Sequence, residues 1–190
     1  MLVTILNIRN GGFSMKLRKL AAMALLTITV AATSTCFAIE RSDLNFGGIY
    51  LDQSIEAVTA MYGQPIKKTP GAPKGWLYTF ASKGQTITIS DKGKVASATV
   101  MGNGDIATKA GIKIGSSASY IKEAYGTPSG DTVLPKPYPD GTTRTIWYRK
   151  PTSHPDYRGN PIPQVTFLRF HIDADGRVVS MSFDEENPEP

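Results

Sequence analysis

The feature that most constrains this chain is an internal repeat. Residues 48–65 align without gaps on residues 111–128. Both segments begin with Gly-Ile, carry a serine six residues after that glycine, and end in Tyr-Gly-x-Pro. A segment that recurs in this way predicts two copies of one structural unit, each of which packs in the same manner.

Each copy of the repeat predicts a short amphipathic helix. Ser54 and Ser117 stand where a side-chain oxygen can accept a hydrogen bond from a free N–H group at a helix start, and apolar residues follow at helical spacing. Gly63 and Gly126 can adopt the left-handed conformation that ends a helix, and a proline two residues later prevents its continuation. Because a two-turn helix is unstable alone, we expect each one to pack on a sheet.

Three strands are predicted after each helix. They cover residues 76–81, 85–90 and 94–101 in the first copy, and residues 144–150, 164–172 and 177–183 in the second. Alternation along each strand assigns one set of side chains to the face that the helix covers. In the first copy these are Trp76, Tyr78, Phe80, Ile87, Ile89, Ala96, Ala98 and Val100, and in the second Ile146, Tyr148, Phe170, Ile172, Val179, Met181 and Phe183.

The predicted fold class is therefore α+β, with two tandem modules that each pack a short helix on a three- or four-stranded antiparallel sheet. The modules are expected at residues 46–103 and 104–183. Residues 184–190 form an acidic tail containing two prolines, which we predict to be a disordered terminus that aids solubility.

The N-terminal segment has the three-part layout of a secretory signal. A basic stretch from Lys16 to Lys19 precedes an apolar run at residues 20–32, and a polar stretch ends in Cys36-Phe37-Ala38. The apolar run is shorter than the roughly 20 residues of a membrane-spanning helix. We predict an upstream-start extension at residues 1–14, a signal peptide at residues 15–38, and an exported protein that is periplasmic or secreted.

Cysteine and charge exclude several functions for the exported chain. Cys36 is the only cysteine, so no disulfide and no cysteine nucleophile would remain after cleavage. A lipid on Cys36, which would make the protein a lipoprotein, is the alternative. Most of the net charge of +5 comes from the leader, because without residues 1–38 the chain has 17 basic and 16 acidic residues. We therefore expect no nucleic-acid partner, and membrane contact only through the leader or lipidation at Cys36.

The combined motif resembles that of a known superfamily. Gly-Ile, a helix-opening serine, Tyr-Gly-x-Pro, an aromatic strand and a closing hairpin occur twice after an export signal, as in the β-lactamase inhibitory protein-like superfamily. A single copy is similar to the outer-membrane assembly lipoprotein BamE and its relatives. The resemblance covers roughly residues 46–183, and it implies helices on tandem antiparallel sheets whose open faces are available to protein partners.

Motifs for catalysis and cofactor binding are absent from the sequence. Gly-x-Ser-x-Gly, zinc-ligand spacing and a phosphate-binding glycine loop do not occur, so we predict no catalytic residue, no metal and no cofactor. His154 is interpreted as a solvated loop residue, and residues 173–176 as a hairpin turn rather than a calcium loop. A hydrolase that uses His171 or His154 with a nearby carboxylate is the least favoured alternative.

The sheet face opposite the predicted core differs between the two copies. It is rich in threonine in the first copy, whereas in the second it carries Trp147, Arg149, Phe167, Arg169 and His171. Tryptophan and arginine are enriched at protein interfaces, so these five residues are the candidates for protein binding. In the alternative interpretation, the proline-rich residues 134–141 and 151–163, or the first copy, cover this face.

The function predicted from these observations is that of a non-enzymatic protein-binding or envelope-assembly factor. The alternative is an inhibitor of a secreted or periplasmic enzyme, which would use the same open face to block its target.

Overall fold

A computed structural model describes residues 39–71, 75–91, 93–155 and 158–186, which are built around an antiparallel sheet. Two helices, α1 (Ile55–Tyr62) and α2 (Ala118–Tyr125), pack against it, and a 3-10 turn covers Arg41–Asp43. The strands are β1 (Asn45–Phe46), β2 (Ile49–Tyr50), β3 (Lys67–Pro70), β4 (Trp76–Ser82), β5 (Gln85–Asp91), β6 (Val95–Gly102), β7 (Gly130–Val133), β8 (Arg144–Pro155), β9 (Pro161–Ile172) and β10 (Val178–Glu186).

Eight of these strands form one continuous sheet in the order β3-β4-β5-β6-β10-β9-β8-β7, while β1 and β2 form a separate ribbon. The predicted fold class is therefore wrong, because the two copies do not build separate sheets. The described residues are mostly β, with one eight-stranded sheet and two short helices. The physical reason is that a four-stranded sheet leaves unpaired N–H and C=O groups along its edges, and here β6 and β10 satisfy each other's edges.

The two aligned segments make matching backbone hydrogen bonds. The Asp52 N–H donates to the carbonyl oxygen of Val95 at 2.9 Å, and the Gly115 N–H donates to that of Val178 at 2.8 Å. The Val95 N–H in turn donates to the carbonyl oxygen of Gln53, and the Val178 N–H donates to that of Ser116, each at 2.9 Å. Asp52 and Gly115 correspond in the repeat alignment, and Val95 and Val178 each stand two residues after a hairpin glycine, Gly93 and Gly176, which aligns the last strands of the two copies. The segment before each helix is therefore hydrogen-bonded to the last strand of its own copy.

Both predicted helices are present, with the expected ends. Ser54 and Ser117 each accept a hydrogen bond from the N–H three residues later, at 3.2 Å. Gly63, with φ of 81°, and Gly126, with φ of 74°, end the helices, and each donates its N–H to the carbonyl four residues earlier at 2.9 Å. The serine and glycine positions thus determine the helix boundaries.

The core lies between the helices and one face of the sheet. Aromatic contacts link the layers: the ring centroids of Phe46 and Phe183 lie 4.9 Å apart, and those of Tyr125 and Tyr148 lie 5.3 Å apart. The buried apolar residues of the eight-stranded sheet are Tyr78, Phe80, Ile87, Ile89, Val95, Ala98, Val100, Ile146, Tyr148, Leu168, Phe170, Ile172, Val178, Met181 and Phe183.

Three residues assigned to the core from the sequence lie elsewhere. Trp76 is 44% exposed because it stands at the first position of β4, where the ammonium of Lys68 lies 4.4 Å from the centre of its ring. Ala96 and Val179 are only partly buried. Register shifts in the β5–β6 and β9–β10 pairs bring the preceding valine of each strand into the core instead.

The proline-rich residues 151–163 extend the β8–β9 hairpin, so the described part of this stretch does not fold across the sheet. The Arg149 N–H donates to the Ser129 hydroxyl at 3.0 Å, so this N–H group points away from β9. Because the direction of the backbone N–H groups alternates along a strand, the nitrogen atoms of every second residue after Arg149 also point away from β9. Prolines, which lack an N–H, occupy four such outward positions of the two strands: Pro151, Pro155, Pro161 and Pro163. The prolines therefore protect the hairpin edges from further strand pairing.

The structure describes part of the predicted C-terminal tail and none of the predicted N-terminal leader. The upstream extension, the signal peptide and Cys36 lie outside the described residues. Within the described ranges, no helix is both long enough and apolar enough to cross a membrane. Residues 184–186, which were predicted to begin a disordered tail, instead belong to β10 and pair with residues 165–167, while residues 187–190 lie outside the description.

Candidate functional site

The sheet face opposite the helices, called here the open face, carries side chains that alternate with those of the core. On β4, β5 and β6 these side chains are uncharged: Leu77, Thr79, Ala81, Thr86, Thr88, Ser90, Ser97, Thr99 and Met101. None of them belongs to the buried apolar cluster. The open face of β4, β5 and β6 is therefore a neutral surface composed mainly of threonine and serine, and Lys67 of β3 lies at its outer edge.

The second half of the open face brings the five predicted residues together on two adjacent strands. Trp147 on β8 lies opposite Arg169 on β9, and Arg149 lies opposite Phe167. His171 continues the same row of β9 and lies opposite Thr145. Directly opposed residues have Cβ atoms roughly 5 Å apart, so the five side chains form one contiguous surface, called here the Trp-Arg patch.

Arg169 is held in place by two carboxylates and a ring. Its guanidinium forms ion pairs with Asp184 and with Glu186, the latter at 2.8 Å. The same group lies 4.2 Å from the centre of the Phe167 ring. Burial alone would lower the pKa of Arg169, but the hydrogen bonds and charges of the two carboxylates raise it above its ordinary value. The guanidinium is therefore a fixed, fully charged and locally neutralised part of the patch.

Trp147 packs on the edge of the sheet. It lies opposite Gly130 of β7, and a Cβ atom built on that glycine would be 1.9 Å from the Trp147 ring. The ring thus occupies the space that a side chain would need. Trp147 is consequently only partly exposed, with one side of its indole against the edge strand.

His171 lies next to the last residue of β9 and is half-buried. Burial lowers the pKa of its imidazole, while the charge of Asp140 partly opposes that effect. Its Nδ1 atom is buried and has no hydrogen-bond partner among the described residues. His171 is therefore uncharged at neutral pH, and Asp140 is the residue of the 134–141 stretch whose charge acts on it.

Arg149 is the patch residue that is most open to solvent. Its backbone N–H is bound by Ser129, but its guanidinium forms no ion pair or hydrogen bond with any described residue. The patch therefore contains one neutralised arginine and one free arginine.

Sequence reasoning missed Asp184, Glu186 and Gly130. The two acidic residues were assigned to a disordered tail. The alternation that places Phe183 in the core, continued by three residues, would have placed both carboxylates on the open face beside Arg169. Gly130 gives no comparable signal, because its role depends on the register between β7 and β8.

Other groups considered for chemistry lie apart from the patch. The interpretation of His154 as a solvated loop residue is wrong, because it lies half-buried in β8 with its Nε2 atom 2.9 Å from Glu185 Oε1. Glu185 Oε1 also accepts a hydrogen bond from Thr152, and the adjoining cavity of about 40 Å³ has room for only one or two waters. In the β9–β10 turn, Asp173 Oδ1 accepts the N–H groups of Asp175 and Arg177, as a turn requires.

A cleft of about 350 Å³ lies beside the end of α1. Gln85 lines it, with its Oε1 accepting the Ile106 N–H at 3.0 Å and its Nε2 buried without a partner among the described residues. The Tyr62 hydroxyl donates to the Gly47 carbonyl at 2.7 Å, so it is already engaged. Gln85 and Tyr62 thus each bind the backbone of a neighbouring segment.

No model of a protein family matches the sequence, and no curated protein matches it. Among solved structures, the chain is similar to a cysteine-rich secretory protein (SAV1118) from Staphylococcus aureus subsp. aureus Mu50. The TM-score is 0.50 and the identity 16%, over 76% of this chain and 48% of that one. The chain thus spans about half the length of that protein, and the likeness shows the fold alone.

A second similar structure is a DUF4309 family protein (YjgB) from Bacillus subtilis subsp. subtilis str. 168. Its TM-score is 0.42 and its identity 15%, over 74% of this chain and 84% of that one. Neither description names the superfamily that the repeat motif resembles, so that resemblance stays a prediction.

Proposed function

We propose that this protein is an exported, non-enzymatic binding protein that holds a partner protein on the open face of its sheet, with the Trp-Arg patch as the main contact. The observation that carries the proposal is the state of Arg169. Its guanidinium is fixed by Asp184, Glu186 and Phe167 on a surface that neither helix covers.

The composition of the open face supports a protein partner. Protein interfaces are depleted of charged residues at their centre, and their binding energy is concentrated in tryptophan, tyrosine and arginine. Here β10 separates an uncharged surface on β4–β6 from a patch that contains tryptophan, phenylalanine and two arginines. The open face of β10 carries the uncharged Ser182 between Thr99 and Arg169, and Asp184 between Ser97 and Phe167. Because Arg169 is already ordered, binding would cost less side-chain entropy than at a flexible arginine.

The charge balance of the patch disfavours nucleic acid and anionic membranes. Asp184 and Glu186 more than neutralise Arg169, which leaves Arg149 as the single free cation of the patch. Binding to a phosphate backbone requires several clustered cations that displace counterions. A neutral protein surface fits the patch better.

Site-specific photo-cross-linking tests the proposal. A photoreactive amino acid replaces Thr86 or Arg149, which are exposed on the open face, or Glu123, which is exposed on α2 as the control. We expect the two open-face positions to give an adduct with one protein of the cell envelope, and the α2 position to give none. Excess unlabelled chain should suppress the adduct, whereas excess chain carrying Phe167→Ala should not.

The recovered protein is then purified and its binding to the chain is measured directly. Equal labelling from Glu123, or no competition by the unlabelled chain, contradicts the proposal. A partner that proves to be a secreted enzyme, whose activity falls when the chain binds, would identify the inhibitor alternative.

A further inference from the structure

The two arginines of the Trp-Arg patch are in opposite electrostatic states. Arg169 has a side chain only 24% exposed and is paired with two carboxylates. Arg149 is exposed, and its guanidinium contacts no carboxylate among the described residues. The Arg149 guanidinium is therefore the cationic group of the patch that has no anionic hydrogen-bond partner among the described residues.

The row of residues around Arg149 limits what that anion can be. Asp184, Phe167 and Arg149 lie side by side on β10, β9 and β8, and Glu186 follows Asp184 on the same face. Two carboxylates therefore lie across the strands from the free guanidinium. Their repulsion increases with the charge of the ligand, so it is stronger for a phosphate or a run of acidic residues than for a single carboxylate.

The end of the edge strand gives access to Arg149. The pairing of β7 with β8 stops at Gly130 and Trp147, so β8 has no strand neighbour on its outer side beyond that point. Ser129 occupies the backbone N–H of Arg149, and the guanidinium remains available. A planar guanidinium binds one carboxylate through two parallel hydrogen bonds.

We infer that Arg149 binds a single carboxylate of the partner, from an aspartate or glutamate that is flanked by uncharged side chains. The flanking groups pack on Trp147 and Phe167 and on the neutral surface of β4–β6. This inference rests on the proposed function and names the chemistry of the partner segment that the patch recognises.

An array of synthetic peptides tests the inference with the chain purified after export. Each peptide has twelve uncharged residues, including aromatic ones, around a central glutamate, glutamine, phosphoserine or lysine. We expect glutamate peptides to bind about tenfold more strongly than the matched glutamine peptides, and phosphoserine to give no gain over glutamate. Raising the salt concentration should reduce the glutamate preference.

Variants of Arg149 test whether this residue causes the preference for glutamate peptides. Arg149→Gln should abolish the preference for glutamate, and Arg149→Lys should retain only part of it, because lysine keeps the charge without the planar fork. Lys67→Gln removes an exposed cation at the opposite edge of the open face and should leave the preference unchanged.

Three results overturn the inference: equal binding of glutamate and glutamine peptides, an unchanged preference in the Arg149→Gln chain, or no binding of any peptide. The proposed function is judged separately. If peptides bind without a glutamate preference but binding is lost in the Phe167→Ala chain, the open face is a binding surface and only the carboxylate inference fails.

Discussion

Thr99 on β6 pairs directly with Ser182 on β10, and these two residues are equivalent in the two repeats. The alignment that matches Val95 with Val178 also matches Thr99 with Ser182. The flanking pairs are Val100 with Met181 and Ala98 with Phe183, so each strand presents corresponding positions to the other. The repeats therefore meet at a local twofold axis in the middle of the sheet, in the manner of an isologous interface.

The continuous sheet predicts that both halves unfold together. The chain has two tryptophans, Trp76 on β4 and Trp147 on β8, one on each side of the central pair. In the Trp76→Phe and Trp147→Phe chains, urea unfolding followed by the remaining tryptophan should coincide with unfolding followed by far-ultraviolet circular dichroism. Two separate transitions would show that the repeats are independent folding units.

Packing of Trp147 on the edge strand predicts a cost for adding one methyl group at Gly130. Gly130→Ala should lower the free energy of unfolding by about 1 to 3 kcal/mol, because the new Cβ would overlap the indole ring. Gly71→Ala is the matched control, since its Cβ would meet its nearest atoms at an ordinary 3.5 Å. Urea unfolding of both variants tests this, and equal stabilities would contradict the packing described for Trp147.

The ion pair at the start of β8 predicts a pH-dependent contribution to stability. The Arg144 guanidinium, whose Nε and Nη2 lie 2.6 Å from the Asp131 carboxylate oxygens, lowers the pKa of Asp131 to about 2, with help from Lys122. The unfolded value lies near 3.9, as in model peptides. The folded pKa is thus the lower one, so the stabilisation is present above about pH 4 and is lost as the pH falls toward 2.

Asp131→Asn tests this contribution. Solvent screens the pair, so the variant should lose at most about 1 kcal/mol of unfolding free energy at pH 7, and this difference should shrink as the pH falls toward 2. Urea unfolding at pH 7, 4 and 2.5 measures it. A difference that stays constant over this range would mean that the carboxylate does not change its charge on the expected scale.

The serine caps predict equal and additive effects in the two repeats. Ser54→Ala and Ser117→Ala should each cost about 1 kcal/mol, because each removes the acceptor for a helix N–H group. Aspartate at either position should restore most of the loss, since its carboxylate can cap the same group. Thermal or urea unfolding of the single and double variants gives the values, and a cost at only one site would indicate that the two helices are not equivalent.

Local structure was predictable from the sequence because its determinants are local. A serine before the apolar residues and a glycine after them determine the ends of α1 and α2. Alternation placed the five patch residues on the face opposite the core, because strand side chains repeat with a period of two.

Strand partners were not predictable in the same way. Alternation assigns faces but does not say which edges meet, so nothing in the pattern around Thr99 or Ser182 indicates that β6 and β10 pair. The burial of Val95 and Val178 in place of their neighbours depends on register shifts that arise only when the strands pair. The carboxylates that hold Arg169 were missed because acidic residues next to a chain end are typical of disordered tails.

The most direct test of partner binding to the open face is to measure which tryptophan the partner covers. The Trp76→Phe chain keeps only Trp147 on the open face, and the Trp147→Phe chain keeps only Trp76 on the helix-bearing face. Acrylamide quenching is measured with and without the purified protein recovered by cross-linking. We expect the partner to protect Trp147 from quenching and to leave Trp76 unchanged, whereas protection of Trp76 with no change at Trp147 would show that the partner does not bind the open face.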